Sequence, residues 1–179
     1  MIILVGASAS GKTEVAKLLA KKYGIVKAIT HTTRPMRKDE KNGVDYFFVA
    51  KAEFEKLLLK DAFAEHTLYN DNYYGCSKAQ IADGKAVIVD PNGLKAFKKL
   101  NNKRIISFLM YADEKIRLER MLSRGDDANN AKSRILNDRV DFSFNNIGKT
   151  DFVIDTSKAS IDEIADDVYR KYIQSLKSV

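Results

Sequence analysis

The octapeptide GASASGKT, Gly6 to Thr13, sets two glycines, a lysine and a hydroxyl residue at the spacing G-x-x-x-x-G-K-[ST]. Those residue types in that order suit one chemistry, the holding of linked phosphates. Gly6 and Gly11 allow the backbone to turn inward, so that successive N–H groups through Ala7, Ser8, Ala9 and Ser10 converge on phosphate oxygens. A helix opening behind the loop adds its N-terminal dipole. Lys12 offers a mobile cation to the β- and γ-phosphates, and the Thr13 hydroxyl is placed to ligate Mg²⁺ directly. The competing reading is a glycine turn with an incidental lysine. The apolar run before the loop and the helical spacing after it favour the cradle, and predict a bound nucleoside triphosphate.

A second anion site is suggested by THTTRPMRKDEKNGVDYFFV, beginning at Thr30. Arg34 and Arg37 carry guanidinium forks that match phosphate oxygens bidentately, and Pro35 biases Arg34 toward extended backbone. Tyr46, Tyr73 and Tyr74 offer hydroxyls nearby in the chain. On the residues alone, the arginines are equally able to pair with Asp39 and Glu40, with the tyrosines as half-buried strand residues. Asp90 closes the apolar run AVIVD, where a carboxylate can hold Mg²⁺ through water; a simple strand-ending turn, DPNG, is the alternative. Arg120 and Arg124 stand one helical turn apart and can share a face. His31 and His66 have no partner at metal spacing, and His31 reads as a loop residue beside the phosphate site.

The elements that must position these groups follow from hydrophobic pattern. IILV at Ile2–Val5 reads as a strand buried on both faces, and TEVAKLLAKKY after the loop as a helix. Further apolar runs are AVIVD, RIISFLM and DFVID, with helical segments NGLKAFKKL and DEKIRLERML between them. A final helix opens at Ser160, where Ser160 and Glu163 form a capping box. Alternating strands and helices predict an α/β fold with a parallel sheet flanked by helices. The interval from Thr30 to Gly75 breaks the rhythm: DYFFV and FAEHTLY read as half-exposed strands around a short helix, AEFEKLLLK, and so as an insertion on the core. GDDANN, after Arg124, is polar and turn-rich, as a hinged segment requires.

The chain has 179 residues, 45% hydrophobic and 31% charged, without a linker of biased composition, and reads as one soluble domain. No apolar stretch is long enough for a membrane span or signal segment. Cys76 is the lone cysteine, which excludes an internal disulfide and fits a reducing cytoplasm. The net charge of +7 is spread in lysine pairs over helical segments, which favours solvated faces over a nucleic-acid surface and suits a small phosphorylated ligand.

TTRPMRKDEKNGVDYFFV, then FAEH, then NYYGCSKA, with the phosphate loop before them and ERMLSRG…KSR after, resemble the guanylate kinase family in order and spacing over roughly Met1 to Arg139. The resemblance implies a P-loop core with an inserted acceptor-binding subdomain, about 30–76, and a helical lid, about 120–139. It implies the reaction of ATP with GMP to give ADP and GDP, with Mg²⁺. Thr30, Arg34, Arg37, Tyr46 and Tyr74 match residues that hold the acceptor monophosphate, and Glu65 matches the carboxylate that reads guanine. Two carboxylate oxygens can accept from guanine N1–H and N2–H₂, a donor pair that adenine lacks. Cys76 and Asp90 complete the acceptor set, while Lys12, Arg120, Arg124 and Arg134 match the groups that close on the transferring phosphoryl. Arg139 is a further candidate.

The chain departs from that pattern in places. Cys76 stands where the family has Ser or Thr, and a thiol is a weaker donor. The turn after Asp90 and the segment DTSKAS also differ, and the stretch from Cys76 to Gly84 is shorter. These departures concern the bases rather than the phosphates. They keep open a kinase for a different nucleotide or nucleoside. A non-catalytic binding module of the same family is a further reading, against which stand the intact Lys12 and Thr13.

Overall fold

The run Ile2–Val5 forms strand β1, and all four residues are buried. Alternation along a strand sends neighbouring side chains to opposite faces, so this one segment builds two cores. Ile2 and Leu4 pack with Val15 and Leu19 of α1 (Lys12–Tyr23) and with Ile164, Val168 and Tyr172 of α7 (Ile161–Lys177). Ile3 and Val5 face the other way, toward Leu94 and Phe97 of α3 (Pro91–Lys99). In the computed structural model, which describes residues 1–69 and 71–178, β1 is the centre of a five-stranded sheet ordered β2-β7-β1-β8-β9. Its other strands are β2 (Val26–Lys27), β7 (Lys85–Val89), β8 (Ile106–Tyr111) and β9 (Phe152–Asp155), and every pairing is parallel.

Register decides where chemistry can sit. Val5 lies opposite Val89 on one side and Leu109 on the other, so the loops after β1 and β7 emerge level with one another and β8 runs two residues further, to Tyr111, on the same edge. The carboxyl edge of a parallel sheet is the usual ligand face.

A second sheet, ordered β4-β3-β6-β5, is built from β3 (His31–Thr32), β4 (Phe47–Phe48), β5 (Phe63–Tyr69) and β6 (Asn72–Ser77). β5 and β6 pair antiparallel, with a register shift between Phe63 and Glu65. Helix α2 (Lys51–Leu59) covers this sheet through Phe54, whose ring stacks on Phe63 at 4.4 Å and Tyr73 at 5.1 Å between centroids. His31 is a strand residue, not the loop residue its neighbours in sequence suggest. Its ring lies against Phe47 of the paired β4 and, across Gly75 of the paired β6, against Phe63 of β5.

Helices α4 (Glu114–Ser123) and α5 (Ala128–Asp141) pack beside the β1 loop, followed by the short α6 (Phe144–Ile147). GDDANN divides: Gly125 and Asp126 connect α4 to α5, Asp127 caps α5 by accepting from Asn129 and Asn130 N–H, and Ala128–Asn130 begin the helix. The capping box of α7 is formed, with Ser160 Oγ accepting from Glu163 N–H and Glu163 Oε2 accepting from Ser160 N–H. Among the described residues, no helix is long and apolar enough to cross a membrane.

Candidate active site

The loop between β1 and α1 closes tightly because two positions tolerate only glycine. A Cβ on Gly6 would come within 2.3 Å of the Met110 carbonyl oxygen, and Gly11 has φ +90°. Ala9 adopts φ 57° although it carries a methyl, which packs against the cluster of Met121, Ala131 and Ile135. Lys12 reaches back across the loop, donating from Nζ to the carbonyl oxygens of Gly6 at 2.6 Å and Ala7 at 2.7 Å. Burial pushes its ammonium down to about 8, with Asp138 raising it and Arg117 lowering it. Anionic phosphate oxygens would relieve that burial cost. The Thr13 side chain, exposed at the start of α1, has no hydrogen-bond partner among the described residues.

A cleft of about 490 Å³ opens over this loop, lined by Ser10, Lys12, Thr13, Arg120, Arg124 and Ile161 among others. A larger cavity, about 620 Å³, lies at the amino ends of β8 and β9 around Ser107 and Phe152. It is on the edge of the sheet opposite the phosphate loop. Arg120 forms one wall of the cleft and is tied down: Nη1 donates to Ala9 O at 3.3 Å and Thr156 Oγ1 at 3.0 Å, and Nη2 to Thr156 O at 2.6 Å. Arg124 grips Asp126 with two bonds, 3.0 and 2.6 Å, and Arg134 reaches the same carboxylate at 3.4 Å. Arg139 forks onto Glu114. Only Arg120 and Arg124 therefore line the cleft together; Arg134 joins them through Asp126.

On the second sheet, Arg34 lies over the rings of Tyr46 and Phe48, 5.7 and 5.6 Å from their centroids, with the Tyr74 hydroxyl beside it. Its guanidinium pairs with Glu40 Oε1 at 2.6 Å, one of the ion pairs open to it on the sequence. Arg37 is exposed and its guanidinium makes no ion pair among the described residues, because Glu40 instead accepts from its backbone N–H. Tyr46 and Tyr74 meet edge to face at 6.1 Å, and Lys27, a cation not singled out in the sequence, sits over the Tyr46 ring at 5.1 Å. Thr30 precedes β3 and accepts Phe47 N–H on its carbonyl.

Glu65 and Cys76 are cross-strand partners on β5 and β6. Glu65 Oε1 accepts the Cys76 N–H at 3.0 Å, and burial pushes this carboxyl up to about 7, with Asp90 adding to the rise and the Cys76 N–H opposing it. The Cys76 side chain has no exposed surface; it packs in the apolar cluster with Ala64, Val87 and Val89, and burial pushes its thiol up to about 12. Its backbone, not its sulfur, is the group that meets Glu65. Asp90 follows β7, next to the β1 loop, and caps α3 by accepting Gly93 N–H at 2.7 Å through Oδ1. The turn after the strand is thus the helix cap, and Asp90 Oδ2 takes no part in it.

One pair escaped the sequence reading. Arg117 and Asp138, 5% and 7% exposed, form a 2.6 Å ion pair between α4 and α5. Asp138 Oδ2 also accepts Ser8 N–H at 2.9 Å. The available signal was an arginine one turn before buried Met121 and an aspartate one turn after buried Ile135, opposite charges on two apolar helix faces.

A phosphate loop at the head of a central parallel strand, a cleft walled by arginines, and a second sheet carrying a half-buried carboxylate define a P-loop phosphotransferase of the nucleotide kinase class. Residues 1–175 match the family described as guanylate kinase, and the chain belongs to that family. It is 35% identical to the guanylate kinase of Mycoplasma pneumoniae over 136 residues, which span 71% of this chain and 57% of that protein. It is 29% identical to that of Chlorobium chlorochromatii over 92% of this chain and 91% of the relative. The crystal structure of guanylate kinase from Anaplasma phagocytophilum superposes with a TM-score of 0.67 at 24% identity, covering 97% of this chain and 84% of that one, a likeness of fold.

Proposed function

We propose that this chain transfers the γ-phosphoryl group of ATP to GMP or dGMP, giving ADP and GDP or dGDP. The observation that carries the reading is Glu65. It is a half-buried carboxylate held by a backbone N–H and influenced by Asp90, which follows the strand next to the phosphate loop. Such a group can accept from guanine N1–H and N2–H₂, while Arg34 and Arg37, in the loop between β3 and β4, take the monophosphate. Lys12 and the loop N–H groups hold the triphosphate, and Arg120, Arg124 and Arg134 supply positive charge where it develops on the transferring group. In this reading residues 30–76 form the acceptor-binding insertion, residues 120–139 the lid, and the whole chain one kinase domain in the cytoplasm. Its partners are free nucleotides rather than nucleic acid.

The donor set also fits Mg²⁺, which is held in such sites mainly by phosphates, water and one or two protein oxygens. The free Thr13 hydroxyl and the second oxygen of Asp90, left over from its cap, would hold it. When bound it neutralises phosphate charge.

The test is ADP release with ATP and Mg²⁺ against GMP, dGMP, AMP, CMP and UMP. Turnover confined to GMP and dGMP is expected. Burial of the Cys76 thiol, which leaves guanine O6 without that side-chain donor, favours the second reading, a different acceptor base; activity with AMP, CMP or UMP would establish it. No turnover with any acceptor would remove both. Arg37→Ala is expected to raise KM for GMP at least about tenfold with KM for ATP unchanged, because its unpaired guanidinium is free for the acceptor phosphate alone. Steady-state kinetics with each substrate varied in turn checks it, and an equal rise in both constants would contradict it.

A further inference from the structure

Lys12 and the loop glycines account for the inward curl of the phosphate loop, but not for what holds its outer turn. That turn, Ser8–Ala9, is gripped from outside by two helices. Asp138 accepts the Ser8 N–H at 2.9 Å through Oδ2 and faces the Ser8 hydroxyl at 3.3 Å through Oδ1. Arg117 Nη1 donates to Asp138 at 2.6 Å and to the Ser8 carbonyl oxygen at 3.3 Å. Both polar groups of the Ser8 backbone are therefore taken by one buried ion pair. The adjoining Ala9 holds a left-handed conformation that is unfavourable for a residue with a Cβ, and its methyl is seated on Met121, Ala131 and Ile135 of the same two helices.

An ion pair of this burial is a weak source of stability, since desolvation of both charges offsets their attraction. Its geometric effect is stronger. The pair joins the first half of α4 to the last turns of α5, whereas Arg124, Asp126 and Arg134 lie toward the connection between the two helices. We propose that Arg117 and Asp138 are positioning residues that clamp the Ser8–Ala9 turn, so that the phosphate loop is set in its triphosphate-binding shape by the fixed base of α4 and α5. This rests on the phosphotransferase reading of the loop. Neither side chain needs to touch substrate; they act through Ser8.

The clamp makes a prediction that general support of the fold does not. Arg117→Leu with Asp138→Ala removes both charges together and leaves no unpaired ion in the core, so the variant is expected to fold with a Tm near the original. Its Kd and KM for ATP are expected to rise roughly tenfold to hundredfold, as misplacement of a site by a fraction of an ångström commonly produces. Kd for GMP, bound on the other sheet, should stay unchanged. Hydrogen exchange at the Ser8 amide, measured without nucleotide, should speed up while that of the α1 amides does not. Asp138→Asn, which keeps an oxygen for the Ser8 N–H, should fall between the two. Unchanged Ser8 exchange with unchanged ATP affinity would overturn the clamp, as would an equal loss of ATP and GMP affinity with a fallen Tm. If the unmodified protein neither binds ATP nor turns over GMP, the functional reading fails on its own. The Ser8 exchange rate then decides the clamp, faster supporting it and unchanged refuting it.

Discussion

Glu65→Gln is expected to lower kcat/KM for GMP by about 10³-fold and to erode the preference for GMP over AMP, with KM for ATP unaffected. The substitution hardly alters volume, but it replaces one acceptor oxygen by an NH₂ that must face the guanine donors. A buried donor opposed to a donor loses the bond and strands both groups. The pH dependence sharpens the test. Burial, reinforced by Asp90, lifts the Glu65 carboxyl from 4.5 to about 7, while the Cys76 N–H pulls the other way. The ionised form accepts both guanine protons, so kcat/KM for GMP should rise with pH up to about 7 and then level, falling nearly tenfold per pH unit below. In Glu65→Gln that limb should vanish.

Stability should move in the opposite sense. A carboxyl whose folded value lies above its unfolded one contributes stability below about 4.5 that is lost as pH rises through about 7. At pH 8 the Gln variant should therefore melt higher than the original while working far worse. A variant that retains GMP selectivity, or a pH limb that survives the substitution, would show that Glu65 does not read the base.

The parts of the site legible in the sequence are those that lie contiguous along the chain. The loop from Gly6 to Thr13 declares itself because eight consecutive residues carry the motif, and β1, β7, β8 and β9 because each is a short continuous apolar run, although only β1 is buried throughout and the edge strand β9 leaves Val153 exposed. The capping box at Ser160 is local in the same way. β2 and β3 are two residues each, too short for any period to show, whereas β4, equally short, lies within DYFFV, which reads as a half-exposed strand. Helix α5, which the family resemblance implied as part of the helical lid, does not show in the hydrophobic pattern. After Ala131 and Ile135 the next inward position is Asp138, a charge where the pattern calls for an apolar residue. Arg117 does the same to α4. Each looks like an interruption until the helices are packed, and only then do the two become a pair. Around Arg34 and Arg37 the sequence offered Asp39 and Glu40 as partners without dividing them: Glu40 takes the guanidinium of Arg34 and the backbone N–H of Arg37, a division that follows from the turn rather than from the residue types.

Lys12→Met is expected to lower kcat by about 10³-fold, the scale for removing one charged group from a preorganised phosphoryl-transfer site. Two losses combine. The cation that meets the β- and γ-phosphates is gone, and so are its bonds to the carbonyl oxygens of Gly6 and Ala7, which brace the loop from within. Arg117 and Asp138 brace the same loop from outside, so the protein should stay folded and the GMP side should keep its affinity. That makes binding of GMP the internal control. The unmodified protein supplies a second handle, since burial lowers the Lys12 ammonium from 10.5 to about 8. Free enzyme above that pH holds a neutral amine in the loop, and kcat/KM for ATP should decline there. The corresponding constant for GMP, measured at saturating ATP, should not, because bound triphosphate restores the charge. The two substrates thus read different groups, GMP the acid limb set by Glu65 and ATP the alkaline limb set by Lys12. Identical profiles for both substrates would mean that one ionisation governs the whole site, and that the assignment of separate donor and acceptor groups is wrong.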